Sequence, residues 1–303
     1  MPDYTIVDVH VHTYPTAQIG DQALMGSGTS GCSGTIREIL GRMADLGIAR
    51  SVMVNMTPMA DMRNALLARL SPDLTAAQRA EAEDEVRANL IARQNRRNAW
   101  SCGVIREFPQ LVAFIGLDPC MTSEEIHAEI ETWVGTDLAK GIKIHPAGNR
   151  HYSNDHRLWP AYEMAQELDV PILFHAGRLF GDDAPFSHPL YFAEIAGAFP
   201  SLRMILAHLC FDFFEDTLAL AERFPNITFD CSAVVSEQRP KETIPSDQLV
   251  YLMRGVGVHR VLFGSDFPWY DPGRDVERIL GLPLTADEKR LILGGNAIRV
   301  CKL

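Results

Sequence analysis

Thr5-Ile-Val-Asp-Val-His-Val-His12 alternates without a break, with Val7, Val9 and Val11 on one face and Asp8, His10 and His12 on the other. A period of two is that of a β-strand, whose successive side chains point to opposite sides. The valine face calls for a cover of helices. The other face sets two imidazoles side by side at the strand's exit, where they could share one metal ion. A single His-x-His pair is more often a polar edge than a ligand pair. Its meaning therefore depends on whether similar strand ends recur.

They do recur. Short apolar runs follow at Ser51–Asn55, Leu111–Asp118, Gly141–His145, Pro171–His175, Arg203–His208, Ile227–Ser232 and Arg260–Asp266. Helical stretches separate them. One runs from about Ile36 to Leu46, with Gly47 placed to stop it. Others lie at Trp159–Leu168, Pro189–Phe199, Asp212–Phe224, 246–254 and Arg274–Leu280, and the last follows the capping box Thr285-x-x-Glu288 to Leu293. Thr122-x-x-Glu125 caps one more. Residues 14–34, rich in Gly, Ser and Thr, read as a loop over the first strand's exit. Eight strands alternating with helices predict a (β/α)₈ TIM barrel, an α/β fold in one domain over residues 1–303. An open doubly wound sheet is the alternative, but no Gly-rich phosphate loop follows the first strand.

One connection is too long for a plain repeat. Residues 59–107 after the second strand predict a helical insertion of two helices broken at Ser71-Pro72, the second opened by Thr75-x-x-Gln78. A lid, a pocket wall or an oligomer contact would each use such a segment. A solvated helical hairpin is the plain reading.

Composition narrows the function. The chain has 303 residues, 47 % of them hydrophobic, and a formal net charge of −11. No apolar run approaches the roughly 20 residues of a membrane span, and no Lys/Arg cluster forms a nucleic-acid track. The start leads directly into a strand, without a secretory pattern. The six cysteines are scattered, and Cys210 and Cys231 read as small buried hydrophobes. A cytoplasmic setting fits, the acidic surface does not forbid a small anionic substrate at a locally positive site, and a homo-oligomer is left open.

Four strands finish on a histidine and one on an aspartate: His12, His145, His175, His208 and Asp266. In such a barrel the strand ends meet at one mouth, where active sites are built. Parity agrees: Ile172 and Phe174 would face helices while His175 faces inward, Ile205 and Ala207 would do so for His208, and Val261 and Phe263 for Asp266. A mixed imidazole and carboxylate set suits one divalent ion, with Zn first and Mn or Fe also fitting. Such an ion lowers the pKa of its water to about 7, and a neighbouring carboxylate can take the proton.

The order His-x-His, His, His, Asp resembles the amidohydrolase superfamily. Gly-Ile-Lys-Ile-His-Pro, Phe-His-Ala-Gly, Leu-Ala-His-Leu, Phe-Gly-Ser-Asp-Phe-Pro and Leu-Gly-Gly-Asn-Ala resemble its amidohydrolase-related branch more narrowly. That branch holds aminocarboxymuconate semialdehyde decarboxylase, resorcylate decarboxylases and hydrolases of lactone and pyrone carboxylates. The resemblance implies that His10, His12, His175 and Asp266 hold one metal, with His208 and Asp266 catalytic. Some decarboxylases of the branch carry Glu-x-His where this chain has His10-Val-His12.

Lys143 shares parity with His145, which puts both toward the interior as substrate ligands. A carboxylated lysine bridging two metals, or a pair with Asp8 or Asp118, are the other readings of Lys143. Arg178, just past His175, suits a bidentate grip on a carboxylate, against a surface ion pair with Asp182 or Asp183. Phe267, Trp269 and Tyr270 could wall a pocket for a flat substrate. The expected activity is metal-dependent hydrolysis of a small carboxylated substrate, with a lactone, cyclic ester or amide as the bond broken, and non-oxidative decarboxylation is the alternative.

Overall fold

The computed structural model describes residues 4–178, 186–240 and 243–303. Strands β1 (Ile6–Val11), β2 (Ile48–Met53), β3 (Leu111–Gly116), β4 (Gly141–Ile144), β5 (Pro171–Phe174), β6 (Arg203–Leu206), β7 (Ile227–Asp230) and β8 (Val261–Leu262) form one parallel sheet in sequence order. The ladder closes between its ends. Val9 N–H donates to Phe263 O at 2.9 Å, Asp266 N–H to His10 O at 2.8 Å and His12 N–H to Phe267 O at 2.6 Å. β8 is shorter than the predicted Arg260–Asp266, because beyond Leu262 the chain pairs with β1 irregularly. The (β/α)₈ barrel stands.

The helices are α1 (Ala17–Leu24), α2 (Ile36–Leu46), α3 (Met59–Leu67), α4 (Ala76–Glu107), α5 (Ser123–Trp133), the single turn α6 (Pro146–Asn149), α7 (Trp159–Glu167), α8 (Pro189–Ala198), α9 (Phe214–Arg223), α10 (Ser246–Val256), α11 (Pro272–Gly281), α12 (Ala286–Arg290) and α13 (Asn296–Cys301). Among the described residues no helix is long and apolar enough to cross a membrane. Local signals set the ends. α2 opens on a Thr35/Glu38 capping box and stops at left-handed Gly47, and Thr75/Gln78, Thr122/Glu125 and Thr285/Glu288 form the other boxes. Each such cap is worth about 1 kcal/mol. α1 corrects the loop expected over 14–34: Thr16 caps it by accepting from Ile19 N–H.

Two apolar clusters fill the structure. The larger joins outward strand residues such as Ile142, Ile172, Phe174 and Phe263 to the helices. The smaller joins Val7, Val9, Val52, Phe114, Leu173, Ile205 and Leu262 to Ala297 and Val300 of α13, so α13 plugs the barrel interior.

This division corrects two parity expectations. Val7 and Val9 belong to the inner cluster and Val11 to the outer one, because β1 shifts register against β2 between Ile6 and Val7 and again between Asp8 and Val11. Ile205 and Ala207 are also inner, with Met204 and Leu206 outer. His208 is therefore not carried inward by strand alternation. It follows the end of β6 on a left-handed backbone, with φ of 60° at His208, 46° at Leu209 and 51° at Cys210.

The insertion matches its prediction, with helices α3 and α4 on either side of Ser71-Pro72. The later part of α4 packs on β3: Asn98 Nδ2 donates to Gly116 O at 3.0 Å and Asn98 Oδ1 accepts from Gly116 N–H at 2.8 Å.

Asp275 of α11 is fully buried and its Oδ1 accepts from Gln238 Nε2 at 3.1 Å. Burial pushes its carboxyl up to about 8, against hydrogen bonds from Ser236 and Gln238. Its unfolded value is about 4. The native state therefore holds a proton that the unfolded chain releases, and the stability linked to it is lost as pH rises from about 4 through about 8. Asp275→Asn should flatten this part of the pH profile, narrowing the drop in Tm between pH 6 and pH 9. Thermal melts of both proteins across that range check it, and parallel profiles would show that Asp275 ionises normally.

Candidate metal centre

His10 Nδ1 lies 2.9 Å from Asp230 Oδ2. A carboxylate only accepts, so the proton sits on Nδ1 and the Nε2 lone pair faces the opposite way. On that side Nε2 is 3.6 Å from Asp266 Oδ1 and 3.4 Å from Lys143 Nζ. His12 Nε2 is 3.3 Å from the same Asp266 oxygen. Ligand atoms of His10, His12 and Asp266 lie within 4.8 Å of one another.

A second set of contacts settles two more tautomers. His208 Nδ1 is 3.1 Å from the Ser232 carbonyl, which can only accept, so this nitrogen is protonated. His208 Nε2 then accepts from His175 Nδ1 at 3.2 Å. That leaves His175 Nε2 as a bare lone pair, buried and, among the described residues, without a hydrogen-bond partner. An unpartnered imidazole nitrogen of this kind is costly in a protein interior and is what a metal ligand requires. The residues present therefore fit a divalent cation.

Electrostatics agree. Burial lowers His10 to about 4, helped by the Lys143 charge, and burial likewise lowers His12 and His175, so the three imidazoles are neutral. Burial alone would raise Asp266, but the His12 hydrogen bond and the surrounding imidazoles hold it well below the usual carboxylate range. Lys143, buried in the barrel, is lowered to about 8 by desolvation.

The other candidates separate. Lys143 has no ion pair with Asp8 or Asp118; its Nζ faces His10 Nε2, while Asp8 accepts from Ser265 Oγ at 2.6 Å. His145 stacks on His175 with centroids 4.2 Å apart, and its Nδ1 accepts from Gly148 N–H at 2.9 Å. It thereby steadies the His175 ring. Arg178 pairs with Asp212 at 2.8 Å and lies over the Phe213 ring; Asp182 and Asp183 fall outside the described residues. Trp269 stands edge-on to His12 at 5.2 Å, with Nε1 held by Ser27 Oγ at 3.1 Å. Phe267 and Tyr270 are buried core residues, and the Trp269 ring lies against the His12 ring.

Asp230 and Ser232 escaped the sequence reading. Asp230 Oδ1 accepts from His208 N–H at 3.1 Å and from Ser232 N–H at 3.0 Å, and Ser232 Oγ donates to it at 2.5 Å. Ser232 Oγ also lies 3.2 Å from His10 Nδ1 and 2.9 Å from His208 Nδ1. The available signal was an acidic residue at the end of an otherwise apolar strand. Space for this cluster depends on Gly264, where a Cβ would come within 2.8 Å of His10 Cβ.

A cavity of about 780 Å³ lies between the insertion and the loops after β3 and β4, lined in part by Arg63, Arg87, Asp118 and His151. None of the centre's histidines lines it.

A closed (β/α)₈ barrel carrying histidines and an aspartate at its mouth defines a barrel protein with a candidate metal centre. The amidohydrolase family pattern matches residues 7–303, and the chain belongs to that family. Among solved structures it is similar to an uncharacterised TIM-barrel protein of Bordetella bronchiseptica, at 18 % identity over 98 % of each chain and a TM-score of 0.72. It is also similar to 5-carboxyvanillate decarboxylase of Sphingomonas paucimobilis, at 16 % identity, 99 % of this chain and 100 % of that one, TM-score 0.68. A third is a dihydroxybenzoic acid decarboxylase of Polaromonas with bound manganese and 2-nitroresorcinol, at 15 % identity, 99 % and 97 % coverage, TM-score 0.71. No curated protein matches.

If Asp230 fixes the His10 tautomer, Asp230→Asn should weaken divalent-metal binding about 10- to 100-fold. The expected far-ultraviolet circular dichroism is unchanged. Competition with a chromophoric chelator measures the affinity, and an unaltered value would remove Asp230 from the centre's support.

Proposed function

We propose that the protein is a metal-dependent carboxy-lyase acting on a planar, unsaturated or aromatic carboxylic acid. The observation that carries this reading is the set His10, His12, His175 and Asp266 at the mouth of a barrel that superposes along almost its whole length on two decarboxylases. The same centre would serve hydrolysis of a lactone or amide, the activity first expected from sequence. The decarboxylase neighbours favour the lyase.

In this reading His10 Nε2, His12, His175 Nε2 and Asp266 hold the cation, and the manganese in the Polaromonas relative makes Mn a candidate beside Zn. The cation supplies a Lewis acid that draws charge from the substrate's oxygens. The chain's own groups do the rest. Trp269 offers a wall beside His12 for a flat ring. Loss of CO₂ leaves an electron pair on the ring carbon, which must take up a proton. Asp266, a carboxylate at neutral pH, is suited to accept a proton from a substrate hydroxyl and pass it to that carbon. His208, its Nδ1 held by Ser232 and its Nε2 accepting from His175 Nδ1, positions the His175 ring for this chemistry. His10 and His208 ring centroids are 5.1 Å apart.

Protein purified without chelator should contain about one metal equivalent per chain. Two equivalents with added mass on Lys143 would replace this scheme by a bridged pair of ions. Incubation of metal-loaded protein with dihydroxybenzoates, 5-carboxyvanillate and lactone carboxylates should release CO₂ without ring-opened acid. Release of ring-opened acid alone would reinstate hydrolysis. Asp266→Asn should lower turnover by about 10²- to 10⁴-fold. His208→Ala should lose turnover while keeping its metal. Metal content and kcat from the same preparations test both, and loss of metal in His208→Ala would make His208 a ligand.

A further inference from the structure

Arg97 lies on α4, in the insertion, yet reaches the exit of β1. Its Nη2 donates to the carbonyl of Thr13, the residue after His12. The guanidinium sits between two rings, 4.9 Å from the centroid of Tyr14 and 5.0 Å from that of Trp100. The placement is braced. Asn55 Oδ1 accepts from Thr13 N–H at 2.8 Å, Asn55 Nδ2 donates to Ser101 Oγ at 2.8 Å, and Ser101 Oγ donates to Arg97 O at 3.1 Å.

Among the described residues no carboxylate lies within 4.0 Å of Arg97, whereas Arg42, Arg87, Arg157 and Arg178 each have one. Burial pushes Arg97 down to about 10. A partly buried cation without a counter-ion is unfavourable until an anion arrives. A guanidinium carries five N–H donors in a rigid fork, and among the described residues the fork donates only to the Thr13 carbonyl.

We propose that Arg97, Tyr14 and Trp100 form an anion-binding subsite beside His12 that takes a carboxylate of a planar substrate. The inference rests on the carboxylic-acid substrate proposed above and assigns the grip on it to the insertion. Arg178, committed to Asp212, is not needed for it. The helical insertion thus acts as the wall that selects charged over neutral substrates.

The test uses two probes of the same shape, 2,6-dihydroxybenzoate and its neutral amide, 2,6-dihydroxybenzamide. Each is mixed with manganese-loaded full-length protein, and tryptophan quenching is read in the first second, before turnover. Wild type should bind the carboxylate more tightly than the amide. Arg97→Met should weaken the carboxylate about tenfold or more and leave the amide within about twofold. Arg97→Lys should recover part of the loss, because a point charge remains without the fork. Arg96→Met, exposed on the same helix, controls for changes in α4 and should match wild type. No preference for the carboxylate in wild type, or equal loss of both probes in Arg97→Met and Arg97→Lys, overturns the subsite. Carboxylate preference that follows Arg97 in a protein releasing no CO₂ would overturn the lyase and leave the subsite standing.

Discussion

The centre depends on one buried carboxylate. Asp230 sits at the end of β7 with no solvent exposure, and each oxygen has a task. Oδ2 takes the His10 proton, while Oδ1 gathers the His208 amide, the Ser232 amide and the Ser232 hydroxyl. Burial alone would favour the protonated acid, but the His10 imidazole and these hydrogen bonds hold it far below the usual carboxylate range. Removing the carboxylate would leave its buried donors unpaired, at about 1–3 kcal/mol for each group left unsatisfied. One side chain thus sets a tautomer on β1 and a backbone turn after β6. These are features that no single strand could set for itself.

The barrel was legible because its signals are local and repeated. Apolar runs, caps such as Thr35/Glu38 and Thr75/Gln78, and the stop at Gly47 each act within a few residues. The strand-end histidines and Asp266 were legible for the same reason, since each closes a short apolar run. What could not be read depends on contacts far apart in sequence. Asp230 meets His10 across 220 positions. Arg97 reaches Thr13 across 84. His145 has the same strand-end signature as His175, yet its ring is occupied by a turn and a stack. Parity failed at His208 because a left-handed turn, absent from any alternation pattern, intervenes.

The insertion ties these levels together. A capping box starts α4, packing on β3 anchors its later half, and the Thr13–Asn55–Ser101 chain locks that half to the mouth. A segment that interrupts the repeat thereby contributes to the same rim as the strand ends.

The turn His208–Leu209–Cys210 has a consequence for which substitutions this rim can tolerate. Three successive non-glycine residues in the left-handed region cost roughly 1–2 kcal/mol each. A glycine at Leu209 or Cys210 would release part of that cost while freeing the backbone that aims His208. Leu209 and Cys210 are buried in the outer core, however, and emptying the Leu209 position would cost about 2–5 kcal/mol in lost packing, more than the strain released. The two side chains that fill this part of the core are thus the same ones whose strained backbone aims the His208 imidazole at the mouth.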